Sequence, residues 1–274
     1  MPVRVDRDLL ERLVFALERL APASPPAPPP DAPAYAWSGE TLVPVRFAPL
    51  PLALLTGIDA QRDAVVENGR RLAGGHAAHD ILLWGARGSG KSALVKSSVG
   101  ALQAEGAPLA LVEVPSGQLG ALPRIFDLVR EWDRAAIVFI DDLAFEGGAD
   151  TARALRSLLE GGAAARPPHV RLYVTSNRRH IVARDMAEQE SAINVRDVVD
   201  DRLALADRFG LSIGFHVCDQ DAYLAMISRY ADAFGLSYDE ADALKWAVQR
   251  GTRSGRVAWH YVTELAGRAG RAIP

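Results

Sequence analysis

Polar and apolar positions alternate along this chain in two rhythms, and the change between them divides it. Leu9, Leu10, Leu13, Val14 and Leu17 recur at helical spacing, which predicts an amphipathic helix over about 6–20 with its apolar stripe packed on a larger body. "APASPPAPPPDAP" follows. Proline has no N–H to donate and restricts the residue before it, so this stretch predicts a semi-rigid linker. From Leu50 the rhythm changes to short apolar runs: "DILLW" (80–84), "LALVEV" (109–114), "AAIVFID" (135–141), "VRLYVTSN" (170–177) and "LSIGFHV" (211–217). Such runs fit strands buried on both faces of a parallel sheet.

Helical patterns separate the runs, as in "ALVKSSVGALQAE", "LPRIFDLVREW" and "ADTARALRSLLEGG". Strand–helix alternation of this kind winds a parallel sheet through right-handed crossovers. After Val217 only helical patterns follow, in "DQDAYLAMISRYADAFG", "YDEADALKWAVQRG" and "SGRVAWHYVTELAGRAG". The expected organisation is an N-terminal helix (1–20), a proline-rich linker (21–49), an α/β core with a five-stranded parallel sheet (50–217) and a small helical lid (218–274).

Composition narrows the function classes. The 274 residues carry a formal net charge of −3, so no overall positive field gathers nucleic acid or anionic lipid. A nucleic-acid partner is therefore not indicated by charge, although "SNRRH" offers a local basic patch at Arg178, Arg179 and His180. The single cysteine, Cys218, excludes an internal disulfide framework and fits a reducing compartment. No apolar run approaches the roughly 20 residues of a membrane span, and charges interrupt the first apolar stretch where a signal peptide would have none. A soluble, cytoplasmic protein without a membrane partner is the expectation. The scattered histidines lack metal-ligand spacing, so no structural zinc is expected. His216 and Cys218, two apart on the last apolar run, are expected on one face of a buried strand.

"LLWGARGSGKSALVK" carries the first chemistry. Gly85, Gly90, Lys91 and Ser92 fit G-x-x-x-x-G-K-[ST] directly after an expected strand and at the start of an expected helix, the setting that distinguishes a phosphate loop from a chance match. Backbone N–H groups along Gly85, Ala86, Arg87, Gly88, Ser89 and Gly90, and on to Ala93, can turn inward around phosphate oxygens. The helix adds its positive dipole end. Lys91 is expected to reach the β- and γ-phosphates and Ser92 to ligate Mg2+. "AIVFIDD" sets Asp141 and Asp142 at the carboxyl end of a buried strand, where open α/β sheets bind ligands. Asp141 suits a Mg2+-holding carboxylate, and Asp142 a group that orients and deprotonates water. Glu146, one loop away, competes with Asp142 for that role. Asn177 closes "YVTSN" between the two motifs, within reach of a γ-phosphate and a water.

Together these motifs resemble the AAA+ class of P-loop ATPases. More closely, "LLTGIDAQRDAVVENGRRLAGG", "WGARGSGKSALVK", "FIDDLAFE", "LLEGG", "VTSNRRH", "LADRFGLSIGF" and "RSGRVAWHYV" are similar, in order from about Leu50 to Leu265, to a bacterial AAA+ family of unknown function, DUF815. The resemblance implies a three-layer P-loop core with a helical lid, ATP and ADP as nucleotides, Mg2+, and ATPase activity. It also implies assembly into a homo-oligomer, ring or filament, in the ATP state, acting on a protein partner it does not identify. Arg208 stands where such proteins place an arginine that completes a neighbour's site. Arg256 matches a lid arginine that contacts γ-phosphate, with Arg253 as the competing assignment. Gly57 and Ile58 resemble the segment lining the adenine side.

Two departures qualify the resemblance. Asp142 stands where many relatives carry Glu, one methylene longer, so slow hydrolysis or a nucleotide-dependent switch enters as an alternative. The stretch "PSGQLGALP" (115–123) has no aromatic residue to grip a threaded polypeptide, which leans toward a loader- or initiator-like ATPase associated with nucleic acid.

Overall fold

A computed structural model describes residues 31–143, 159, 166–177 and 208–273. The helix expected over 6–20, the helix expected around "ADTARALRSLLEGG" apart from Leu159, Glu146 and the Arg178–Arg179–His180 patch lie outside the described residues.

The described elements are β1 (Ala34–Trp37), β2 (Leu42–Pro44), α1 (Asp59–Ala73), β3 (Ile81–Gly85), α2 (Lys91–Ala104), β4 (Leu109–Val114), α3 (Leu122–Val129), β5 (Ala135–Ile140), β6 (Val170–Ser176), β7 (Leu211–Phe215), α4 (Gln220–Phe234), α5 (Glu240–Gln249) and α6 (Gly255–Arg268). The strands form one sheet in the order β2-β1-β4-β5-β6-β3-β7. All five expected strands are present and mutually parallel, with β3, which feeds the glycine loop, between β6 and β7.

The sheet has seven strands rather than five, and the extra pair corrects the linker expected over 21–49. β1 runs parallel to β4, and β2 returns antiparallel to β1 with Pro44 opposite Tyr35. Tyr35 and Trp37 are buried and drive the docking. Arg134 braces it by donating to the Ala32 carbonyl at 2.7 Å and the Tyr35 hydroxyl at 2.8 Å. β2 is an edge strand, where a proline without an N–H is tolerated. The flanking prolines hid a four-residue strand too short to show a period.

The central strands are apolar because helices and loops cover both faces. β5 is buried at every position. Leu82, Val112 and Val138 point into the cluster formed with α3, while Ile81, Leu83, Leu111 and Phe139 point into the cluster under α1 and α2. Truncating such a residue, Phe139→Ala for instance, costs about 3–5 kcal/mol. Polar groups fix the register at the strand starts. Asp80 accepts from the Leu172 N–H and pairs with Arg166, both at 2.8 Å. Asn68 of α1 bonds the His79 backbone through both ends of its amide and donates to the Tyr173 hydroxyl at 2.9 Å.

After β7 the three helices pack around Tyr223, Ile227, Tyr230, Tyr261 and Val262. Each starts on a side-chain cap: Asp219 accepts from the Ala222 N–H, Asp239 from Asp242 and Ser254 from Val257, satisfying donors that a helix start leaves unpaired. Among the described residues no helix is long and apolar enough to cross a membrane.

Candidate functional site

β3 ends in a loop that glycine alone permits. Gly85 has φ +128°, and a Cβ there would stand 2.0 Å from the Phe215 carbonyl oxygen, which also accepts from the Ala86 N–H at 3.1 Å. The loop is thus tied to the end of β7. Gly90, at φ +94°, turns the chain into α2. The first residues of α2 therefore present their N–H groups and the helix dipole to the carboxyl end of the sheet.

Lys91 is 4% exposed, unusually buried for a lysine. Its Nζ donates to the carbonyls of Gly85 at 3.2 Å and Ala86 at 2.8 Å, and to Asn177 Oδ1 at 3.0 Å. Burial pushes the Lys91 ammonium below the usual lysine range. Asp142 and Asp141 oppose the shift, while Arg256 adds to it.

The two acidic residues differ in role at once. Asp141 Oδ1 accepts from the Ser92 hydroxyl at 2.5 Å and from the Thr175 hydroxyl at 2.6 Å. Asp142 stands at φ +50°, the described non-glycine residue with a left-handed backbone. Its N–H donates to Thr175 Oγ1 at 2.8 Å, and its Oδ1 accepts from Asn177 Nδ2. Its other carboxylate oxygen lies 4.0 Å from the Arg87 guanidinium. Lys91, Ser92, Asp141, Thr175, Asp142 and Asn177 thus form one connected network.

This network opens into a cavity of about 430 Å3, lined also by Arg87, Gly88, Ser89, Gly90, Ala93, Arg256, Tyr230 and Trp259. A second cavity, about 570 Å3, lies on the other side of the loop, with Gly57, Ile58, Phe215, Cys218, Met226 and Arg253 in its walls. Arg87, Gly88, Ser89, Gly255 and Arg256 belong to both. Between them the first turn of α6 meets the glycine loop. The Arg256 N–H donates to the Gly88 carbonyl at 3.2 Å, and a Cβ on Gly88 would come within 2.9 Å of Ser254 Oγ. The Ser89 hydroxyl, in the wall of both cavities, is buried without a hydrogen-bond partner.

The expected site residues divide accordingly. Lys91, Ser92, Asp141, Asp142, Asn177 and Arg256 gather in the first cavity, while Gly57 and Ile58 line the second. The two lid arginines separate: Arg256 reaches both cavities and Arg253 lines only the second. Arg208 is half-buried in the turn before β7 and lines neither. His216 and Cys218 lie beyond the end of β7, at the rim of the second cavity, and not on a buried strand. Burial and the neighbouring Asp219 push the Cys218 thiol up, with Arg253 opposing. Thr175, 1% exposed and bonded to both aspartates, is the residue that sequence reasoning missed. It sits two residues before Asn177 on the strand beside the acidic one, a neighbourhood that only strand pairing reveals.

A hydroxyl and a carboxylate side by side are hard oxygen donors of the kind Mg2+ takes, usually with several waters retained. The buried Ser89 hydroxyl and the helix start that lines the first cavity fit phosphate oxygens. The residues present therefore fit a magnesium–nucleotide complex.

The model of the family described as "Protein of unknown function (DUF815)" matches residues 30–269. No curated protein matches the chain. Among solved structures, the Aeropyrum pernix ORC2 protein, in ADPNP–ADP complexes, is 12% identical with a TM-score of 0.51, over 79% of this chain and 64% of that one. The Thermotoga maritima RuvB Holliday junction branch migration motor is 15% identical with a TM-score of 0.48, over 78% and 64%. Domain III of the Thermotoga maritima replication initiation protein DnaA is 14% identical with a TM-score of 0.48, over 80% and 88%. The chain thus spans a little under two thirds of the length of the ORC2 and RuvB chains. At such identities a likeness is one of fold, and among these three the ORC2 structure, with a TM-score of 0.51, carries it. With its family model matched over most of its length, this chain belongs to the DUF815 family and has the AAA+ fold.

Proposed function

We propose that the protein binds ATP with Mg2+ and hydrolyses it to ADP and phosphate, in sites completed between copies of the chain, to remodel a protein partner. The observation that carries the reading is the connected network from Ser92 through Asp141, Thr175, Asp142 and Asn177 to Lys91, converging on one cavity beside a helix start. The ADPNP and ADP named for the ORC2 protein agree with a nucleotide in this fold.

Each residue then has a task. The loop backbone and the Lys91 ammonium hold the β- and γ-phosphates, and Arg256 approaches the γ-phosphate from the lid. Ser92 and Asp141 would hold the metal, which would supply charge neutralisation at the phosphates. Asp142 accepts the proton of the attacking water, and Asn177 orients that water against the γ-phosphate. The second cavity, with Gly57 and Ile58 in its wall, receives the base. Arg208 reaches the γ-phosphate of a neighbouring copy.

An arginine supplied in trans is worth roughly 10³–10⁵ in rate, about 4–7 kcal/mol of transition-state stabilisation. Phosphate release measured against protein concentration tests this. The specific rate should rise with concentration in the wild type and stay flat and low in Arg208→Ala. A concentration-independent rate unaltered by that substitution would leave a single-copy nucleotide switch.

A further inference from the structure

We infer that Arg87 is a positioning residue for Asp142, one that exchanges this carboxylate for the terminal phosphate of a nucleoside triphosphate. The inference rests on the nucleotide reading above and deepens it. Arg87 is the only described cation in the glycine loop itself besides Lys91, and the two are placed differently. Lys91 is buried and committed to Gly85, Ala86 and Asn177, whereas the Arg87 side chain is 74% exposed and lines both cavities. Its guanidinium stands 4.0 Å from Asp142 Oδ2, at the outer edge of an ion pair, while Asn177 donates to Asp142 Oδ1. Both oxygens of the proposed base are therefore engaged, one by a hydrogen bond and one by a loosely held cation.

The Arg87 guanidinium thus stands beside the oxygen that Asn177 leaves open to a water, and moving it away clears that approach. An exposed pair at this distance is weak and readily exchanged. A terminal phosphate offers Arg87 a denser charge and a planar, two-pronged contact that its guanidinium matches better than an ammonium can. A diphosphate ends one phosphate short and offers no such exchange. The same step that seats a triphosphate would then free Asp142, tying base availability to the presence of a γ-phosphate.

Calorimetric titration of Mg-ADPNP and Mg-ADP into wild type, Arg87→Ala, Arg87→Lys, Asp142→Asn and the Arg87→Ala/Asp142→Asn double variant tests the exchange. Arg87→Ala should weaken ADPNP about tenfold and ADP less than about twofold, and Arg87→Lys should recover only part of the loss. Asp142→Asn should tighten ADPNP about threefold or more beyond its effect in the Arg87→Ala background, because a competitor for Arg87 is gone. Equal losses for both nucleotides would make Arg87 a structural part of the loop and overturn the proposal, as would no loss at all or strictly additive effects in the cycle. A wild type that binds neither nucleotide would instead remove the nucleotide reading beneath it.

Discussion

The two cavities on either side of the glycine loop are built in opposite ways. The first is built on a continuous hydrogen-bond chain that runs from Ser92 through Asp141, Thr175, Asp142 and Asn177 to Lys91. The second presents a mainly apolar surface drawn from five stretches of chain: Gly57 and Ile58 at the start of α1, the glycine loop from Ala86 to Ser89, the end of β7, Met226 on α4 and the first turn of α6. On the proposed reading the first serves the chemistry, because preorganised dipoles stabilise developing charge without reorganising. The second is suited to shape recognition of a flat, mostly apolar group. The lid completes both, since Arg256 belongs to each and its N–H ties α6 to Gly88.

The sharpest way to separate the two is Lys91→Ala. It removes the buried cation of the first cavity and should weaken Mg-ATP on the order of 100-fold or more, while a nucleoside without phosphates, held only by the second cavity, is nearly unaffected. Competition with a fluorescent adenine nucleotide measures both. Equal losses would mean that the cavities are not independent.

Next in size is the pair of lid arginines. Arg256→Ala should weaken a triphosphate about tenfold and a free nucleoside little, as expected for one charge-assisted contact. Arg253→Ala should do the reverse, changing nucleoside binding by about threefold and leaving the difference between ATP and ADP intact. An Arg253 variant that abolished that difference would move the lid contact to the other arginine.

The smallest effect is expected at Thr175. Thr175→Val keeps the shape but removes the hydroxyl that bonds both aspartates, leaving the Asp142 N–H without its acceptor. Stability should fall by about 0.5–1 kcal/mol, and phosphate release should fall more than nucleotide affinity. A variant with unchanged release would make Thr175 a packing residue only.

The contrast also explains what was legible in the chain. The first cavity could be read because its parts are short motifs at strand ends: the loop from Gly85 to Ser92, the paired Asp141 and Asp142, and Asn177. Buried strands expose their chemistry at their ends, and β5 is apolar up to Ile140. Thr175 escaped because a threonine inside a strand carries no signal until pairing places it beside Asp141, through the register Ile140 to Val174. Apart from Arg253 and the residues it shares with the first, the second cavity was legible only at Gly57 and Ile58, through a resemblance. Its other walls become neighbours only when the lid folds back, and neither Met226 nor Cys218 belongs to a motif. β1 escaped for a different reason: four residues between prolines show no period, and their strand character comes from Tyr35 and Trp37 finding a sheet edge to cover.

Phosphate release from Mg-ATP by Asp142→Asn, compared with wild type at a protein concentration that saturates assembly and with nucleotide binding measured on the same samples, tests the central claim most directly. The substitution keeps size and can still bond Asn177 but cannot accept a proton as the carboxylate does. Release should fall roughly 10²–10⁴-fold, the range of a lost general base, with ATP bound at least as tightly as before. Release that persists at the wild-type rate, with binding intact, would contradict the assignment of Asp142 as the base on which the mechanism turns.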